Sequence, residues 1–140
     1  MSDSKLQIAE LLLRCFAGVL FLFQGYDKLF IIKMSTVIET FRSDASQHHV
    51  PKFLVTVLAY YTSIVEFFGG LLLILGLFTN YTLYALGFDL LAVAFAFSCV
   101  EPLWDMKHVF PRFILVILLL LLPIENNQLS LDYLLKINRI

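Results

Sequence analysis

Between Phe53 and Phe78 the chain runs for 26 residues with a single charged side chain, Glu66. A helix crosses the hydrocarbon core of a bilayer with about 20 apolar residues, so this run is long enough to span it. Three further stretches share its character. The first, Leu6 to Phe30, is interrupted by Glu10, Arg14, Gln24 and the pair Asp27–Lys28. The third, Tyr81 to Val100, holds Asp89 alone. The fourth, Val109 to Ile124, has Arg112 near its start and Pro123 near its end, and its length as a span depends on Arg112 snorkelling to the interface. The runs are continuous, whereas barrel strands alternate polar and apolar residues, so helices are expected.

Composition agrees. Of 140 residues 60% are apolar and 15% charged. A soluble domain this small has too much surface for its volume to hide so much Leu, Phe, Ile and Val. Ten basic and eleven acidic residues give a net charge of −1, which leaves no basic surface for nucleic acid. The expected fold is therefore all-α: an integral membrane four-helix bundle, one domain over residues 1–140, with spans near 6–30, 53–78, 81–100 and 109–124.

The connections refine this picture. Ile31, Ile32, Met34, Val37, Ile38 and Phe41 space their apolar side chains like a short amphipathic helix lying in the interface between spans one and two. A polar loop, Ser43 to His49, follows, and Pro51 suits the start of span two. Thr79–Asn80 is a tight connection, so spans two and three form an antiparallel hairpin. Trp104 suits the headgroup zone. The polar N-terminus precedes an apolar run too long for a signal peptide, so the first span is expected to be retained. An even number of spans puts both termini on one side of the membrane. Loops one and three carry six flanking bases (Lys28, Lys33, Arg42, Lys52, Lys107 and Arg112) against three on the terminal side (Lys5, Lys136 and Arg139), which favours those loops in the cytoplasm.

The few intramembrane charges are the candidates for function. Counted from the terminal side, Arg14 lies about 12 Å deep, Glu66 about 18 Å and Asp89 about 12 Å. Matched depth on three helices points to a buried polar cluster of Arg14, Glu66 and Asp89, because ionisable groups in a membrane are costly and usually pair. Glu10, four residues before Arg14, is an alternative partner on the same helix. The trio reads either as an ionic lock that fixes helix register or as a ligand, proton or quinone site. A second polar mouth gathers Gln24, Tyr26, Asp27, Lys28, His108 and Arg112, residue types that also serve as interfacial anchors. Small residues line the packing faces: Gly18 and Gly25 on span one, and Gly69, Gly70 and Gly76 on span two.

No metal site is expected. The spacing of His48–His49 supplies no third ligand, and Cys15 and Cys99 form no C-x-x-C pair. Those cysteines lie about 14 Å and about 27 Å deep, too far apart to form a disulfide. His108 could ligate haem or titrate near neutral pH. No nucleophile–base–acid set and no phosphate-binding loop is present.

The stretch from Arg14 through Gly18 and Gly25 to Lys28 resembles the R-x-x-x-G…G-x-x-K opening of DoxX-family membrane proteins. Glu66-Phe-Phe-Gly69-Gly70 followed by Leu75-Gly76-Leu-Phe-Thr79 is similar to the family's E-x-x-G-G…L-G-L-x-T pattern. Ser130-Leu131-Asp132 matches its S-L-D ending, although Glu125-Asn126-Asn127-Gln128 stands where a Gly-Pro-Gly is often found. The resemblance implies a four-helix protein of the bacterial inner membrane. Relatives include subunits of a thiosulfate:quinone oxidoreductase, partners of redox and detoxification enzymes, and a receptor chaperone. Arg14, Lys28, Glu66 and the glycines match the shared pattern, which assigns them no catalytic role. The expected function is a non-catalytic accessory or assembly subunit, packed in the lipid bilayer against a protein partner or further copies of itself. The alternative is a quinone- or haem-binding subunit of an oxidoreductase.

Overall fold

A computed structural model of the protein describes residues 3–39, 51–100, 109–123 and 127–135. The described chain is helical throughout: α1 (Asp3–Tyr26), α2 (Lys52–Leu75), α3 (Thr79–Val100), α4 (Val109–Leu121) and the short α5 (Leu131–Leu135). A π-helical turn, Asp27–Ile31, continues α1. Ser4–Ile31 and Phe53–Leu75 are each long and apolar enough to cross a membrane, and Val109–Leu121 is apolar but shorter.

Contacts of α1 with α2, α2 with α3, α3 with α4 and α4 with α1 close the long helices into a ring. Inside it lies a core of Ala17, Phe21, Leu73, Leu83, Leu86, Leu90, Val116 and Leu119. Outside, large apolar side chains such as Phe16, Phe23, Phe68, Phe88 and Phe95 are exposed. Apolar surface on that scale is at home against hydrocarbon, where burying it in the protein brings no gain over lipid contact.

The closest approach is between α1 and α2, and glycine makes it possible. A Cβ on Gly25 would collide with the Phe67 backbone, and one on Gly70 with the Leu22 backbone. Gly18 packs on Gly70 and Ile74, and Gly69 faces Leu86 of α3. Backbone thus meets backbone along this pair of helices, the arrangement small residues permit between membrane helices.

Local chemistry sets where the helices stop. Pro51, in extended backbone, precedes α2, and its carbonyl accepts the N–H groups of Leu54 and Val55 at 3.0 and 3.3 Å. At the other end Gly76 adopts φ +64°. Gly76 N–H then reaches Leu73 O at 3.1 Å and Leu77 N–H reaches Leu72 O at 3.0 Å, the paired bonds of a Schellman ending. As a result α2 ends at Leu75, short of the apolar run's end at Phe78. Helix α4 stops at Leu121 because Pro123 pushes the residue before it out of helical geometry.

The segment after α1 differs from the expected interfacial helix. Lys33 has φ +65°, which interrupts the helix, and helical backbone resumes only over 34–39. Ile31 and Ile32 therefore belong to the end of the first span and are exposed, whereas Val37 is buried. Phe41, the loop Ser43 to His49, Trp104 and His108 lie outside the described residues.

Candidate functional site

The polar side chains inside the bundle form two groups, divided differently from the sequence expectation. The first surrounds Arg14, which is 1% exposed. Its Nε donates to Glu10 Oε1 at 2.9 Å, one turn back along α1. Nη1 donates to the carbonyls of Leu73 and Ile74 at 2.7 and 3.1 Å, and Nη2 to that of Leu129 at 2.8 Å. The guanidinium thus sits on the C-terminal end of α2, where unpaired carbonyls and the helix dipole favour a cation, and ties the segment before α5 to it.

That segment also caps the hairpin. Asp132 Oδ1 accepts the N–H of Phe78, and Oδ2 that of Thr79, both at 2.7 Å. Asp132 N–H in turn donates to Gly76 O at 2.9 Å. Phe78 has φ +50°, a strained conformation for a bulky residue, and Asp132 holds it while satisfying the first amides of α3. Ser130 Oγ accepts the N–H of Tyr133 at 3.2 Å and so caps α5.

The second group centres on Glu66, also 1% exposed. Lys28 Nζ donates to Oε2 at 2.5 Å, Gln24 Nε2 to Oε1 at 3.1 Å, and Arg112 Nη1 approaches Oε1 at 3.4 Å. Arg112 Nη1 also donates to Gln24 Oε1, and its guanidinium carbon lies 5.8 Å from the centroid of the Phe21 ring. Asp89 of α3 is fully buried and interacts electrostatically with Glu66, Lys28 and Arg112. Both its carboxylate oxygens are buried without a hydrogen-bond partner. All four long helices and the π turn therefore contribute to one centre: Gln24 and Lys28, Glu66, Asp89 and Arg112.

The regrouping follows from helix register. In an antiparallel pair, Gly18 opposite Gly70 and Gly25 opposite Phe67 place Glu66 beside Gln24 and Lys28. Arg14 lies instead beside Leu73 and Ile74, about 10 Å farther along α2. Depth counted from the ends of the apolar runs missed this because those ends are not level: Arg14, well inside the first run, lies beside the last turn of α2. Glu66 and Asp89 thus keep company with Gln24, Lys28 and Arg112, while Arg14 stands apart with Glu10. Asp27 is half-buried, and its carbonyl accepts the Ile32 N–H at 2.8 Å. Tyr26 stacks obliquely on Phe30. Cys15 is a half-buried free thiol. Among the described residues no group of three or more His, Cys, Asp or Glu gathers to hold a metal ion.

The DoxX family model matches residues 9–99, which run from α1 through α3 and include Arg14, Lys28, Glu66 and Asp89. The chain belongs to the DoxX family. It is accordingly a membrane protein with lipid-facing helices, and the expected all-α membrane fold is the observed one. No curated protein and no solved structure matches the chain at a significant level. The DoxX match ends within α3, so it does not cover Arg112, which completes the Glu66 centre, or Asp132. Sequence reasoning placed Arg112 at a mouth and read Asp132 only as part of a familiar ending. The clue available for the hairpin lock was Gly76, since a Leu-Gly-Leu at the end of an apolar helix marks a left-handed cap.

Proposed function

We propose that this DoxX protein is a non-catalytic accessory or assembly subunit of a larger membrane complex. In this reading it is a single membrane domain of the bacterial inner membrane, with both termini on one side. The observation that carries it is the use made of the buried charges. Arg14 is committed to Glu10, the end of α2 and Leu129, and Glu66 is committed to Gln24, Lys28 and Arg112. Groups saturated in this way hold helices in register. The remaining apolar exterior is free to meet lipid, a partner helix or another copy of the chain. Purification from native membranes in a mild detergent, with the mass of the intact species measured, tests the reading. A defined complex of fixed stoichiometry is expected; a stable monomer overturns it.

A second reading, a subunit that binds quinone or haem, draws on one observation. The two oxygens of Asp89, buried without a hydrogen-bond partner next to Glu66, Lys28 and Arg112, offer acceptors to the hydroxyl of a quinol. An absorption spectrum and solvent extraction of the purified protein test it. A colourless preparation free of quinone would rule against it.

A further inference from the structure

Residues 127–135, the strap that locks the hairpin, are arranged inside out for a segment in water. Ser130 and Asp132 are buried against the bundle, while Leu129, Leu134 and Leu135 point outward, Leu134 with 73% of its surface exposed. Asp132 is the one charged residue of the strap, and 76–84, the turn it caps and the start of α3, has none. The strap's backbone is occupied as well. Leu129 O accepts from Arg14 Nη2, and Asp132 N–H donates to Gly76 O. Tyr133 N–H donates to Ser130 Oγ and Leu134 N–H to Ser130 O. Hydrocarbon demands polar groups turned inward and a satisfied backbone; water imposes neither.

The first span sets the level of the strap. Lys5 and Lys33, both exposed, bracket that span about 42 Å apart along the helix. A bilayer with its headgroups is about 40–45 Å thick, so the two lysines reach its two surfaces. Arg14, which holds the strap at Leu129, stands about 13–14 Å inward of Lys5. With a hydrocarbon core of about 30 Å, headgroups fill only about 6 Å of that distance. Ile8 and Leu12, which lie between, are accordingly exposed and apolar. We propose that the strap lies in the bilayer, at the boundary of headgroups and acyl chains, and that lipid of that leaflet covers Leu129, Leu134 and Leu135. Tyr81 and Tyr133, exposed at the same end, are of the residue type enriched at that boundary. A partner chain would cover one side of the bundle. Exposed apolar side chains instead surround this end, on α1 (Leu12), α2 (Leu75), α3 (Tyr81), α4 (Leu121) and the strap (Leu134), as a continuous solvent of lipid requires.

Tryptophan fluorescence of the full chain in phosphatidylcholine vesicles tests this. Trp104 is the chain's one tryptophan, so Leu134→Trp and, separately, Leu135→Trp are made in a Trp104→Phe background. Phe88→Trp, exposed at the middle of α3, is the deep reference and reports in the same vesicles that the bundle is inserted. Lipids brominated near the top of the acyl chain should quench both strap variants more than lipids brominated near its end, the reverse of the order at Phe88→Trp. Aqueous iodide should quench the strap variants far less than it quenches free tryptophan. Strong iodide quenching without bromine quenching would put the strap in water and overturn the assignment. Resistance to both quenchers overturns it too, because protein then covers the face; bromine quenching that returns on diluting the protein in lipid would identify the cover as a second copy.

Discussion

Lys28 Nζ and Glu66 Oε2 meet at 2.5 Å across the α1–α2 contact, with the carboxylate 1% exposed and the lysine 15%. The pair joins the π turn after α1 to the middle of α2, where Gln24 and Arg112 also converge on Glu66. Removing the carboxylate charge leaves two cations with Asp89 as the one remaining anion of the centre. Glu66→Gln is expected to destabilise the bundle by about 3–5 kcal/mol, the usual consequence of breaking a buried ion pair from one side. Lys28→Met in the same chain should recover part of the loss. Reversible unfolding in mixed micelles measures both, and a Glu66→Gln variant as stable as the parent would mean that Glu66 does not hold the helices.

Arg14 should be intolerant of lysine as well as of alanine. Its planar fork serves four oxygens in three places, Glu10, the end of α2 and Leu129, and an ammonium is a single point of charge that cannot reach them together. Arg14→Ala also strands the Glu10 carboxylate, 4% exposed, in the bundle. A loss of about 3–5 kcal/mol is expected for alanine, with a smaller loss for lysine. Adding Glu10→Gln to Arg14→Ala should restore part of the stability, because it removes the stranded charge. Unfolding midpoints of the parent, Arg14→Ala, Glu10→Gln alone and the double variant provide the check; simple additivity would show that Glu10 and Arg14 do not act as a pair.

The helices were legible in the sequence because a bilayer leaves few alternatives. Continuous apolar runs can satisfy their backbone only as helices, and Gly18, Gly25, Gly69 and Gly70 mark the faces that pack. Glu10 as a partner of Arg14, and Gln24 gathered with Lys28 and Arg112, were legible; that Glu66 joins the second group and not Arg14 was not. Depth along each span locates a residue to within a turn or two, but pairing is decided by register, which depends on how the two helices slide along each other. Gly25 seated on Phe67 and Gly70 on Leu22 set the slide of α1 along α2, so Glu66 falls to Gln24 and Lys28. The hairpin lock was out of reach for a different reason. Asp132 lies 53 residues from Thr79, and no local pattern announces a cap supplied from so far along the chain.

The glycines should differ sharply in their tolerance of a methyl group. Gly25→Ala drives a Cβ into the Phe67 backbone, which cannot move without separating α1 from α2. A loss of at least about 1–3 kcal/mol is expected from such overpacking. Gly76→Ala meets the Arg14 guanidinium and Ser130, and adds about 1–2 kcal/mol for left-handed backbone. Gly87→Ala serves as the control: its nearest neighbour, Val116 Cγ1, is at an ordinary 3.7 Å. Alanine there should be neutral or stabilising by up to about 1 kcal/mol through helix propensity. Thermal melts of the three variants in one detergent compare them, and equal midpoints would contradict the observed packing.

Asp132 is the acceptor on which the turn between α2 and α3 depends. Both its oxygens are used, one on Phe78 N–H and one on Thr79 N–H, and the carboxylate's charge suits the start of α3. Asp132→Ala leaves two amides without their acceptor at about 1–3 kcal/mol for each one that water does not reach, and releases the brace on strained Phe78. Asp132→Asn should fare little better. Its amide oxygen can accept from one of the two N–H groups, but its NH₂ presents hydrogens to the other. The bonds from Arg14 to Leu129 and from Asp132 N–H to Gly76 O do not use the side chain, so the segment should loosen before it detaches. Hydrogen exchange in micelles checks this: the Phe78 and Thr79 amides are expected to exchange faster in both variants, with residues near Gly25 and Gly70 unchanged. Exchange at Phe78 and Thr79 that matches the parent would mean the carboxylate is not their acceptor.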